Sequence, residues 1–150
     1  MCVVLKETGA DRRLRICFGQ SDATAIVVGL NDWKAPRPMT HDLLAAFVKE
    51  LGGTTKHIVI TELKEEEQTF YSKIAVKSNG SMHDIDARPS DALALAVRQK
   101  VPMYAEEALL KWAETQDSSR LGPVSTIWPL QNSSSFQPQR ATKKRGKKKT

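Results

Sequence analysis

Apolar and polar residues alternate with two different periods over the first 116 positions, and each change of period marks a change of element. Val3–Lys6 and Leu14–Phe18 carry the period of two on either side of a turn at Gly9-Ala10-Asp11, which predicts a strand pair. From Ser21 to about Leu30 apolar residues come nearly all round, the pattern of a buried helix that Ser21 caps. A loop over Asn31–Met39 leads to Thr40, set to cap an amphipathic helix. Leu43, Leu44, Phe47, Val48 and Leu51 follow helical spacing there, and Gly52-Gly53 end it. His57–Leu63 and Thr69–Lys77 alternate as strands around the solvated acidic turn Glu65-Glu66-Glu67.

Asn79-Gly80 is the strongest hairpin signal in the chain. A two-residue turn there pairs Ile74 with Ile85 and Val76 with His83 on the core face, and Lys73 with Asp86 and Tyr71 with Arg88 on the other. The second strand, His83–Arg88, stops at Pro89, and Ser90 can cap the helix that follows. Val101–Tyr104 reads as a short strand and Glu106–Ala113 as a last helix. Ser21–Val28 matches Ser90–Val97 at five of eight positions, each copy following a strand and opening an apolar helix. The pattern predicts an α+β fold: one compact domain of mainly antiparallel strands with packed helices, built from two strand–helix halves.

Composition changes this picture at one end. Beyond residue 116 Ser, Gln, Pro and Lys dominate, so residues 1–116 are expected to be the domain and 117–150 a disordered tail. Within it Gly122–Leu130 could instead dock on the body or a partner. The net charge of +6 belongs to this tail. Arg140, Lys143, Lys144, Arg145, Lys147, Lys148 and Lys149 hold seven of the 23 basic side chains, which leaves 16 against 17 acidic ones in residues 1–139. The basic run suits phosphate contact, or a nuclear signal in a eukaryote, or plain solubility. There is no apolar run of membrane-spanning length and no signal-peptide pattern, and two cysteines make no disulfide framework. A cytoplasmic protein with reduced thiols is expected.

Candidate chemistry gathers at the junction before the second capped helix. Alternation puts Asp84, Asp86 and Arg88 on one strand face, and Asp91 follows in the first helical turn, where the dipole favours anions. The polar alternative gives Asp86 a cross-strand ion pair with Lys73 and Asp91 a helix-end role. His57 and His83 read as structural residues, and no Ser/His/Asp or Cys/His nucleophile arrangement stands out.

Three blocks carry a family resemblance. Val3-Val4-Leu5-Lys6-Glu7, Pro36-Arg37-Pro38-Met39-Thr40-His41-Asp42-Leu43-Leu44 and Asp86-Ala87-Arg88-Pro89-Ser90-Asp91-Ala92 resemble the bifunctional nuclease domain over roughly Val3–Ala113. The resemblance implies a compact α+β fold and cleavage of both RNA and DNA. Family domains usually start with one more strand, so the sheet edge is expected to be truncated here or completed otherwise, as by a second subunit. They also often carry Trp-Ile where this chain has Cys17-Phe18.

Phosphodiester hydrolysis needs an activated water and a cation near phosphorus. Mg²⁺ or Mn²⁺ on Asp84, Asp86 and Asp91, with Arg88 as charge stabiliser, would supply both. Asp86, Arg88 and Asp91 are therefore the expected catalytic set, with His41 as candidate general base and Arg37 as a phosphate contact. The rival reading is a non-catalytic oligomeric module that binds nucleic acid or protein.

Overall fold

The computed structural model describes residues 1–116 together with the backbone of residues 127–132. In chain order the elements begin with β1 (Cys2–Glu7), β2 (Arg13–Cys17), α1 (Gln20–Leu30) and α2 (Thr40–Glu50). Then come β3 (Gly53–Lys64), β4 (Thr69–Ser78), β5 (Ser81–Ala87) and α3 (Pro89–Gln99). β6 (Met103–Ala105), α4 (Glu107–Thr115) and β7 (Ile127–Asn132) complete the domain. The architecture is α+β, as the sequence predicts.

A helix that is apolar nearly all round must be covered on every side, and α3 is: Ala92, Leu93, Ala94, Leu95, Ala96 and Val97 are all buried. α1 and α2 lie against it, and so do β3 and β4. Its alanines permit this close approach, and so does Gly29 on α1, where a Cβ would stand 2.6 Å from Val97 Cγ2. Leu5, Leu14, Ile58, Ile60 and Leu110 fill the space between sheet and helices. Each such side chain contributes about 1.5–3 kcal/mol of transfer free energy before chain entropy is counted.

The sheet runs β2-β1-β7-β6-β3-β4-β5. β7 pairs in parallel with β1 on one side and β6 on the other, and so joins two smaller sheets. Two expectations change with it. Residues 127–132 fall inside the stretch expected to be a disordered tail, yet they form a strand; the rest of 117–150, including the seven basic residues from Arg140 to Lys149, lies outside the described residues. The open side of β1 is taken by this strand of the same chain rather than by a second subunit.

The β4–β5 hairpin has the predicted register, with Ile74 opposite Ile85, Val76 opposite His83 and Lys73 opposite Asp86. Asn79 and Gly80 both have positive φ, 50° and 78°, as this tight turn requires. β5 is an edge strand, so Ile85 and His83 are exposed rather than part of the core. The ladder ends at Ser72 opposite Ala87, and Arg88 becomes the residue before α3 instead of facing Tyr71. The register shift after Ile60 turns Leu63 away from the face of His57.

Helix starts are slightly earlier than the caps predicted. Gly19, Met39 and Arg88 hold the cap positions, with Pro89 first in α3, so Ser21, Thr40 and Ser90 are already helical. Cys2 and Cys17 are direct partners across β1 and β2 and form a disulfide, contrary to the expected free thiols. The antiparallel pairing sets their Cα atoms 4.0 Å apart, close enough to bridge.

Candidate active site at three helix starts

The first turns of α1, α2 and α3 supply a connected polar cluster. Pro89 fixes the turn into α3 and places Arg88 just outside the helix, one turn from Asp91. The guanidinium donates from Nε to Asp91 Oδ2 at 2.8 Å and from Nη2 to Oδ1 at 3.1 Å. The same Nη2 lies 3.6 Å from Asp22 Oδ1 in the first turn of α1. From α2, His41 Nε2 meets Asp91 Oδ1 at 3.1 Å.

Arg88 holds the Asp91 carboxyl below the usual carboxylate range, with His41 adding to the effect and partial burial opposing both. Asp91 is thus ionised at neutral pH and can only accept. Nε2 of His41 must then be the protonated nitrogen, which leaves Nδ1 as a base. The His41 side chain retains 14% of its exposure, whereas Arg88 retains 67%. The cluster therefore has a sheltered imidazole beside a cation open to solvent.

α2 is held in place by the residue after His41. Asp42 accepts the backbone N–H of Met39 at 2.9 Å and the Nε of Arg98 at 2.9 Å. Arg98, on α3, has a side chain only 8% exposed and also donates from Nη1 to the carbonyls of Ala25 on α1 and Ala94. One guanidinium thus ties together the three helices whose first turns form the cluster.

The predicted residues divide into two groups. His41, Arg88 and Asp91 come together. Asp84 and Asp86 do not join them: they share the faces of Ala75 and Lys73, opposite to Ile74 and the helices. Asp84 is close enough to oppose the effect of burial on His57, whose pKa is lowered on that side of the sheet. Asp86 and Lys73 face each other without forming an ion pair among the described residues. Arg37 is exposed in the loop before α2. Asp22 is not among the residues predicted for the site, although its match to Asp91 in the internal repeat points to it; nothing in the sequence pattern marks Arg98.

The same division decides the metal set. No three His, Cys, Asp or Glu side chains among the described residues are placed to hold one ion, so Asp84, Asp86 and Asp91 do not fit a shared Mg²⁺ or Mn²⁺.

Residues 3–118 match the family model of the bifunctional nuclease domain. The chain belongs to that family. It is similar to an uncharacterized protein of Mycobacterium tuberculosis, 40% identical over 111 residues, which are 74% of this chain and 65% of the relative. It is also similar to bifunctional nuclease 1 of Oryza sativa subsp. japonica, 28% identical over 111 residues, and of Arabidopsis thaliana, 26% identical over 131 residues. Those stretches cover 71% and 85% of this chain but 33% and 39% of the plant proteins. The chain thus spans under two thirds of each of these relatives. The family model extends over all three helix starts and both strand–helix halves of this bifunctional nuclease domain.

Proposed function

We propose that this domain is a nuclease that hydrolyses phosphodiester bonds of RNA and DNA at the cluster formed by His41, Asp91, Arg88 and Asp22. The contact of 3.1 Å between His41 Nε2 and Asp91 Oδ1, beside the exposed Arg88, carries the reading. The plant relatives named bifunctional nuclease support nucleic acid as its substrate.

A reaction common to RNA and DNA cannot use the ribose 2′-hydroxyl, so the nucleophile is water. His41 Nδ1 takes the proton of that water as its oxygen attacks phosphorus, and Asp91 stabilises the imidazolium that forms. The phosphorus–oxygen bond opposite breaks, and the leaving oxygen takes a proton from solvent. Arg88 spends Nε and Nη2 on Asp91, and its Nη1 bonds no described residue. That nitrogen, with the start of α3, suits a phosphate oxygen. Asp22 limits the positions Arg88 can take. No step is assigned to a metal, because the carboxylates expected to bind one are separated.

Purified protein incubated with labelled single-stranded RNA and DNA, in EDTA and in Mg²⁺ or Mn²⁺, tests the reading. Cleavage of both nucleic acids that His41→Ala removes supports it. A wild type that binds both without cutting under every condition leaves the second reading, a nucleic-acid-binding module, which the near-neutral residues 1–139 favour.

A further inference from the structure

The loop over residues 31–39, between α1 and α2, holds an indole out to solvent. Trp33 is 58% exposed, whereas Trp112 packs against the core with its ring 6.0 Å from that of Phe70. The Trp33 backbone is fixed all the same, because its N–H donates to the Val28 carbonyl near the end of α1 at 3.3 Å. One exposed ring needs no explanation by itself. This one stands directly before Lys34, with Arg37 four residues on, and both cations are exposed. The loop's one acid, Asp32, is paired with Lys100 at the end of α3 at 3.0 Å, so it does not cancel them. Pro36 and Pro38 restrict the backbone on either side of Arg37, so the loop has less freedom to lose when a ligand settles on it.

We propose that this loop is a stacking platform for single-stranded nucleic acid, with an unpaired base on the Trp33 indole and neighbouring phosphates on Lys34 and Arg37. The combination of groups carries the choice of ligand. A single strand offers a π-face in every unit and a negative charge between units, which suits a ring flanked by cations. A duplex keeps its base faces stacked inside, and an acidic peptide carries charge without a ring beside it.

The placement of the loop supports the same ligand. α1 and α3 lie side by side and run the same way, since Asp22 meets Arg88 at their starts and Asp32 meets Lys100 at their ends. Trp33 therefore lies about 16 Å along α1 from Asp22. The loop then leads back to Met39, two residues before His41. A strand seated on Trp33 can follow the loop past Arg37 to Arg88 within a few nucleotides. Trp33 is thus a specificity residue, which favours unpaired strands and tolerates either sugar. The inference rests on nucleic acid being the substrate, and binding measured apart from cleavage keeps its failure distinct from that of the nuclease reading.

Fluorescence anisotropy with labelled oligothymidylate and oligouridylate tests the proposal, on the full chain carrying His41→Ala so that the strands stay intact. Adding Trp33→Ala should weaken binding of both about 5- to 150-fold, the loss of one stacked base, with unchanged far-ultraviolet circular dichroism. Trp33→Phe keeps a ring and should recover part of the loss. An abasic strand of equal length should bind with or without Trp33 equally well. Lys34→Gln with Arg37→Gln should flatten the dependence of log K on log salt by about 1.4, while Trp33→Ala leaves that slope unchanged. Binding of both strands within about twofold of the parent after Trp33→Ala, an equal loss on the abasic strand, or no binding by the parent would overturn the proposal. Cleavage by wild type that survives with Trp33-independent binding sinks this inference alone. Trp33-dependent binding without any cleavage upholds it and sinks the nuclease reading.

Discussion

Asp22 and Asp91 sit at matching positions of the internal repeat, one in the first turn of α1 and the other in the first turn of α3, and both reach the guanidinium of Arg88. The repeat thus supplies two carboxylates to one cation. The contributions differ, since Asp91 binds through two hydrogen bonds and Asp22 only approaches within 3.6 Å. Asp22→Asn is expected to change stability by under about 0.5 kcal/mol, because Arg88 is largely exposed. It should still lower cleavage, by letting Arg88 move. Urea unfolding and single-turnover assays on the same preparation separate the two effects.

Asp84 and Asp86 lie on the sheet face away from the cluster. Asp84→Asn and Asp86→Asn are therefore expected to keep cleavage within about threefold of wild type. Loss of activity in Asp86→Asn alone would return the centre to the carboxylate set expected from the sequence.

Burial lowers the pKa of His57, and Asp84 partly opposes this. A histidine depressed in the folded state contributes stability that is full above its ordinary pKa of about 6.5 and is lost as pH falls through the folded value. The urea midpoint should fall between pH 7.5 and 5, and His57→Gln should make that fall shallower. Asp84→Asn should extend the fall to lower pH and deepen it, because burial then acts unopposed. An identical pH profile in all three proteins would contradict the assignment.

The disulfide between Cys2 and Cys17 closes a loop with a sequence separation of 15. In the chain-entropy account a loop of this size stabilises by about 3 kcal/mol. Dithiothreitol should lower the urea midpoint of wild type and leave a Cys2→Ser/Cys17→Ser double variant unmoved at the lower value. The same midpoint for both proteins under oxidising conditions would show that the bond contributes nothing.

The hairpin was legible because Asn79-Gly80 accepts the two positive φ values and fixes the register down to Lys73 opposite Asp86. Alternation also put Asp84 and Asp86 on the face away from the core, but it does not reveal where the helix starts carrying His41 and Asp91 lie. That is decided by α3 packing on the side of Ile74, and it removes both carboxylates from His41 and Asp91. Similarly, helical spacing marked the stripe Leu43, Phe47 and Leu51 without showing that it faces outward. β7 was hidden because Trp128, Pro129 and Gln131 do not alternate as a half-buried strand does. A strand paired in parallel on both sides needs no such alternation.

The most direct measurement is the cleavage rate of His41→Ala, with Asp91→Asn beside it, on single-stranded RNA and DNA at fixed metal concentration. Removing a general base should cost about 10²–10⁴-fold on both substrates while the far-ultraviolet spectrum stays that of wild type. A folded His41→Ala protein that cuts both at the wild-type rate would contradict the account.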